Sequence, residues 1–141
     1  MANEATEITK YGENGTGRVA SYTCAAGKTI SKGTILCLVA DNTVSAHSLV
    51  AQAHPVGIAA MTKDGTDGST TISVLTDLEA GIIASEALVL GGFVKLAAVS
   101  LNFNTVQNAL DADITLSRNI ILGKSLAATA AGSRGRIRIN L

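Results

Sequence analysis

The sequence predicts an all-β protein, a small barrel or sandwich with an extended N-terminal arm. Short β-branched runs such as Ser69–Leu75 are separated by glycine-bearing turns, and Thr, Val and Ile suit a pleated surface while glycine permits tight reversals. A chain of 141 residues falls in the size range of one domain. We therefore expect a flexible arm over residues 1–17 and a single β-rich domain over residues 18–141.

Composition and charge exclude several classes of partner. Apolar residues make up 47% of the chain and aromatic residues only 3%, so the core is built of small aliphatic side chains, and burial between subunits would add stability. This favours a homo-oligomer. The net charge is zero, which predicts neither a nucleic-acid nor a membrane partner, and the apolar runs are shorter than the roughly 20 residues of a membrane span. The first residues lack a secretory signal, which predicts synthesis in the cytoplasm.

The arm over residues 1–17 is too polar to bury a core of its own. It is either a disordered terminus or a functional segment. Within it, Thr6–Tyr11 alternates small, charged and apolar side chains, as does a strand that adds to the edge of a sheet. Ile8 and Tyr11 would be its apolar anchors. The candidate residues for contact with a capsid or a neighbouring subunit are Thr6, Ile8, Lys10 and Tyr11.

The first half of the domain contains three readable strands. Residues 19–24 form one, and Thr34–Val39 is so continuously apolar that we expect burial on both of its faces. Residues 46–54 are compatible with a helical turn or a loop. Pro55 opens the next strand at Val56, where a missing N–H matters least.

In the second half of the domain, the sequence pattern predicts strands clearly only near the C-terminal end. Residues 77–96 suggest a loop and then two strands around a Gly-Gly pair, and three asparagines within residues 101–116 favour turns. Residues 119–122 form a strand, and residues 136–141 alternate arginine with apolar residues. The alternation predicts three inward side chains: Ile137, Ile139 and Leu141.

The same order of elements occurs twice, at about residues 30–75 and 89–139. Both copies contain an apolar-x-x-Gly-x-apolar run, a glycine strand and a closing strand. The first has these at Ile30–Ile35, Val56–Ile58 and Ile72–Leu75, and the second at Val89–Val94, Leu122–Lys124 and Ile137–Ile139. Either an internal duplication or chance similarity in a chain rich in Gly, Ala and Val explains this pattern.

Two tripeptides resemble the end of a phosphate-binding loop. Gly27–Thr29 and Gly123–Ser125 both lack the glycine that the motif requires five residues earlier, and Gly27–Thr29 has no helix start after it. We therefore expect no nucleotide cofactor. No nucleophile elbow is present, and few titratable groups are available to converge in a pocket. The prediction is a protein without catalytic residues, not an enzyme.

Metal binding is also not expected. Two cysteines and two histidines could supply zinc ligands, but they lack the close cysteine spacing of structural zinc sites, so the thiols are interpreted as small buried hydrophobes. Asp64–Gly68 resembles a calcium loop but lacks the later glutamate, and a hairpin loop explains it better. The four residues of the zinc set are Cys24, Cys37, His47 and His54.

Three segments carry a family resemblance: Pro55–Ala59, Ile121–Gly132 and Arg136–Leu141. In residue character and order of elements, residues 18–141 resemble the small capsid (head) decoration proteins of tailed bacteriophages. The resemblance implies a tulip-like or barrel domain that binds the outer surface of an assembled head as a trimer. The implied partners are the major capsid protein and other copies of the chain, and the implied location is the virion, assembled in the host cytoplasm. An arm that reaches the shell or a neighbour fits as well, and the resemblance implies no catalytic residues.

Two functions therefore stand as hypotheses. The first is a capsid decoration subunit that stabilises the head. The alternative is a β-rich binding module, such as a head-fibre base or a carbohydrate-contacting domain. Carbohydrate sites usually expose aromatic side chains, and the sequence contains no Trp, two Tyr and two Phe, which weighs against the alternative.

Overall fold

The computed structural model describes residues 4–10, 18–46, 54–97, 104–110 and 120–140. These residues form ten strands in one sheet, which confirms the all-β prediction. Within this part of the chain no helix has the length and apolar character needed to cross a bilayer. The strands are β1 (Thr6–Lys10), β2 (Arg18–Thr23), β3 (Ile35–Ala40), β4 (Thr43–Ala46), β5 (Pro55–Ala59), β6 (Thr71–Ala84), β7 (Phe93–Leu96), β8 (Thr105–Asn108), β9 (Ile121–Ser125) and β10 (Arg134–Asn140).

The long strand β6 organises the sheet. It has 14 residues, more than twice the usual strand length of about 5–6. Its first half pairs with β2 and β5, and its second half pairs with β1, β8 and β10. Ten of its residues are buried in a mainly apolar sequence, as expected of a strand with neighbours on both edges and both faces.

Two closed series of paired strands, here called circuits, each begin and end at β6. The first circuit runs from β6 through β2, β4, β3 and β5 back to β6. The second runs through β10, β9, β7 and β8. The two circuits share one large sheet, so the structure is not a closed barrel, one of the two architectures that the sequence predicted.

The two circuits repeat each other pairing by pairing. Matching pairs are Leu36↔Gly57 with Val94↔Gly123, Leu38↔Val44 with Leu96↔Val106, Thr23↔Thr43 with Ile83↔Thr105, and the bridge Ile30↔Lys63 with Leu88↔Thr129. The matching units also include β2 and the second half of β6, so they extend beyond the predicted copies. A duplication would produce this correspondence, and it stays a hypothesis.

One detail of the predicted alignment is corrected. The sequence comparison placed Gly33 with Gly92, but the Gly33 N–H donates to the Ala59 carbonyl as the Gly91 N–H donates to the Ser125 carbonyl. Gly33 and Gly91 both have positive φ, 89° and 77°, which favours glycine. Gly91 is therefore the counterpart of Gly33, and the aligned segments shift by one residue.

Two apolar clusters form the core. The first fills the first circuit and contains Cys24, Ile30, Leu36, Val44, Ala59, Ile72 and Val74. The second fills the second circuit, with Val94, Val106, Leu122 and Ile137 among its members. It also includes four side chains of the first circuit, namely Ile35, Cys37, Ile58 and Leu75. The second cluster is thus both a core and the contact between the circuits.

Several sequence predictions change at the level of elements. β6 continues through Asp77, where a loop was expected, and β8 is a strand where asparagines favoured turns. In β3 the residues up to Cys37 are buried, but Leu38–Ala40 are exposed, so burial on both faces holds for only half of the strand. In β10, Ile137 and Ile139 are fully buried, as predicted. Leu141 and most of residues 46–54 lie outside the described residues.

Candidate assembly surfaces

The N-terminal strand β1 lies on β6 of the same chain. It pairs antiparallel with Leu78–Gly81, with Thr6 opposite Gly81. Thr6–Lys10 of the predicted arm form a strand, and in this structure its partner is the chain's own sheet. Of the candidate contact residues, Thr6 is exposed and Ile8 and Lys10 lie within β1. Tyr11 lies outside the described residues.

Residues that precede β1 are held by both circuits. The Ala5 N–H donates to the Gly33 carbonyl at 2.8 Å, and Ala5 is buried in the second cluster. Arg134 of β10 donates through Nη1 to the Glu4 carbonyl at 2.9 Å and to the Gly81 carbonyl at 2.8 Å. The Arg134 guanidinium therefore holds Glu4, just before β1, beside Gly81 of β6. Sequence reasoning missed Arg134, because its partners are main-chain carbonyls far away in sequence.

Charged side chains link β6 to β10. Arg136 forms an ion pair with Glu79, a largely buried residue of β6. Arg138 Nη2 lies 2.9 Å from Asp77 Oδ1. Because both acids meet an arginine, β6 can carry two charges and remain mainly buried.

Two exposed apolar surfaces lie in corresponding strands of the two circuits. The β3 surface consists of Leu38 and Val39 together with Asn42 in the following turn. The β7 surface consists of Val89, Leu90, Phe93 and Leu126. Two main-chain hydrogen bonds join the segments that carry these side chains: the Gly92 N–H donates to the Val89 carbonyl, and the Ser125 N–H donates to the Gly92 carbonyl. Neighbouring exposed apolar side chains often mark interaction sites.

An open pocket of about 340 Å³ lies between β4 and the loop after β2. It is lined by Cys24, Ile30, Val39, Val44 and neighbouring small or polar residues. Among the described residues, no three metal-binding side chains come together. The lining therefore offers shape and apolar contact without a group of converging acids or bases.

The cysteines and the acidic loop behave as structural features. Cys24 and Cys37 are buried free thiols, as predicted, and burial raises the pKa of Cys37 to about 12. Asp64 accepts hydrogen bonds from the Thr66 N–H and hydroxyl at 2.9 and 2.8 Å. These bonds lower the pKa of Asp64. The loop joins the antiparallel strands β5 and β6, as the hairpin interpretation predicted, and His47 lies outside the described residues.

Comparison with known proteins gives a match in structure and none in sequence. No protein-family model matches the chain, and no curated protein matches it. Its fold is similar to that of a phage head-fibre base. That structure is the head fiber gp8.5 N base in bacteriophage phi29, with a TM-score of 0.52 and 15% sequence identity over 87% of this chain and 95% of the phi29 chain. At this identity the similarity shows the fold, and its coverage includes parts of both circuits.

Proposed function

We propose that this chain is a structural protein of a tailed-phage virion, attached to the head, and not an enzyme. The observation that carries the proposal is the similarity of the fold to the phi29 head-fibre base over nearly the whole of both chains. The sequence resemblance to capsid decoration proteins supports the same class of protein. The proposed structural role needs no cofactor.

In its finer form, the proposal is a decoration subunit that binds the major capsid protein on the outside of the head as a trimer. The small aliphatic core and the two exposed apolar surfaces support self-association, because apolar area buried between copies adds about 25 cal/mol per Å². The second candidate is the base of a head fibre, which the phi29 structure favours directly.

Cryo-electron microscopy of virions of the phage that encodes this chain distinguishes these two roles. A decoration subunit gives density at every equivalent position of the head lattice. A fibre base gives density that continues outward into a fibre. Virions made without the gene provide the control, and purified virions that lack the protein altogether would contradict both roles.

The arm supplies a candidate contact with the head. Among the described strands, β1 pairs with β6 alone, and a strand held on one edge can accept a further strand on its other edge. We propose that Thr6, Ile8, Lys10 and Tyr11 contact the capsid or a neighbouring subunit in this way.

Binding of purified protein to undecorated heads tests the arm. Variants that lack residues 2–10 or carry Tyr11→Ala should bind with lower occupancy than the intact chain, provided that circular dichroism shows a folded sheet. Full occupancy by both variants would place the head contact elsewhere on the domain.

A further inference from the structure

We infer that the β7 surface of one copy binds the β3 surface of a second copy, head to tail, by repeating the contact that joins the two circuits inside one chain. The inference deepens the proposed self-association and rests on it. It names the two surfaces involved and gives the association a direction.

The internal contact has a defined geometry. In the first circuit, the Ile35 N–H donates to Asn104 Oδ1 at 3.0 Å. Ile35 is fully buried, and Leu96 and Ala97 of the second circuit are 8% and 0% exposed. Ile35 and Leu96 belong to the same apolar cluster. The contact therefore joins the start of β3 to the hairpin of β7 and β8.

Each of these residues has a counterpart in the other circuit that is exposed. By the matching registers, Phe93 corresponds to Ile35, Leu38 to Leu96 and Asn42 to Asn104. The register shifts after Leu38, so Val39 and Ala40 together lie opposite Thr43, where the second circuit has only Ala97 opposite Thr105. Phe93 is 46%, Leu38 40% and Val39 63% exposed, and Asn42 is also exposed. One chain thus carries both halves of the internal contact a second time, on surfaces that do not meet each other.

The β7 surface has room for a partner. A Cβ at Gly33 would collide with the main chain of Ala5, because Glu4 and Ala5 cover this position. A Cβ at the corresponding Gly91 would meet only Lys124 Cε, at 3.9 Å. Val89 and Leu90 are 63% and 68% exposed beside it, so burying them would add to the association.

The charges of the two surfaces are complementary. Lys124 pairs directly with Phe93 across β7 and β9 and is exposed, so the two side chains share one face of the sheet. Asp41, next to Asn42, is exposed on the β3 surface. In the contact between copies, Asn42 would accept from the Phe93 N–H and Asp41 would approach Lys124. A second copy therefore matches the β7 surface in both shape and charge.

A head-to-tail contact has a distinctive consequence for assembly. Every copy offers one β7 surface and one β3 surface, so association closes into a ring if the rotation permits and extends into a filament otherwise. The proposed trimer is such a ring. An isologous contact, in which each surface binds itself, would stop at a dimer.

Two substitutions at exposed positions test the inference. Val39→Asp disrupts the β3 surface and Leu90→Asp the β7 surface, while Met61→Asp is the matched control at an exposed apolar residue outside both surfaces. Sedimentation velocity over a concentration series should show assembled wild-type and Met61→Asp protein and monomers for the other two variants. An equimolar mixture of Val39→Asp and Leu90→Asp chains should form heterodimers, because one intact β7 surface meets one intact β3 surface.

Each other outcome overturns the inference. Wild-type protein that stays monomeric, a variant that keeps the wild-type mass, or a mixture that stays monomeric would do so. Circular dichroism checks that each variant is folded. If an aspartate variant is unfolded, the lysine variant at the same position, Val39→Lys or Leu90→Lys, is used in its place. Binding to heads is measured separately, so wild-type chains that bind heads without associating by these surfaces would overturn this inference and leave the virion role intact.

Discussion

At the scale of single residues, Gly57 and Gly123 show how closely the strands approach. A Cβ at Gly57 would overlap the Leu75 carbonyl oxygen, and one at Gly123 would overlap the Arg138 carbonyl oxygen. Leu75 and Arg138 are counterparts in the two circuits. The same steric requirement therefore occurs once in each circuit, on β5 and on β9.

We expect Gly57→Ala and Gly123→Ala each to lower the free energy of unfolding by about 1–3 kcal/mol through overpacking. Gly57 adds strain, since its φ of 149° lies in the range that L residues avoid. Gly27→Ala is the control, because a Cβ there would meet nothing within 4 Å. Urea unfolding measures all three, and a loss at Gly27 equal to that at Gly57 would contradict the steric explanation.

Cys37 should react slowly with a thiol reagent in the folded protein. It is 5% exposed, and burial raises its pKa to about 12. In a Cys24→Ala variant, which leaves Cys37 as the single thiol, labelling should be much slower than in denaturant. Rapid labelling under native conditions would place β3 at the surface.

The raised pKa of Cys37 also predicts a pH dependence of stability. A folded pKa above the ordinary value of 9.0 gives a contribution that is fully present below that value and is lost as the pH rises toward about 12. A Cys37→Ala variant should lack this part of the alkaline loss of stability. Identical alkaline profiles of the two proteins would argue against burial of the thiol.

At the scale of elements, β10 closes the second circuit with its apolar side chains inward. Ile139→Ala should cost about 2–5 kcal/mol, because it leaves a cavity in a filled core. An Arg136→Ala/Glu79→Gln double variant should cost less, since the Arg136 side chain is half exposed and the double change leaves no buried charge without its partner. Chemical denaturation compares the two, and equal losses would contradict the facing of β10.

β1 should stabilise the sheet that it joins. Deleting residues 2–10 exposes the β6 edge at Leu78–Gly81 and removes the Glu4 carbonyl, one of the two acceptors of the Arg134 guanidinium. We expect a thermal midpoint lower by more than about 4 °C. A deletion of residues 2 and 3 alone is the control, and an unchanged midpoint for the longer deletion would mean that β1 is not bound to β6 in solution.

The elements that the sequence predicted well are those in which the local pattern and the tertiary environment agree. Residues 136–139 alternate in sequence because one face meets the core, so the pattern alone reveals the strand. The second half of β6 was missed because Asp77 and Glu79 resemble loop residues until Arg138 and Arg136 are placed beside them. β8 was missed because its burial depends on parallel pairing with distant β6. For the candidate surfaces, the sequence indicated β1, but exposure at Val39 and Phe93 follows only from the relation between the circuits.

At the scale of the whole molecule, the shared strand β6 should make the two circuits unfold together. Val74 and Ile137 are fully buried counterparts in the first and second clusters. Val74→Ala and Ile137→Ala should each lower the midpoint of a single transition, seen alike by calorimetry and circular dichroism. Two resolved transitions, with each variant shifting only one, would show that the circuits fold independently.

The antiparallel pairing of β1 and β10 with β6 also determines how the molecule would carry a mechanical load. Thr6 lies opposite Gly81, whereas Asn140 lies opposite Asp77, so the two ends of the chain leave β6 in opposite directions along its axis. A pull between them loads the hydrogen bonds of both strand pairs in shear, all at once, instead of opening them one after another. Single-molecule stretching through these ends should therefore require a higher force than stretching that peels β10 from its Arg134 end.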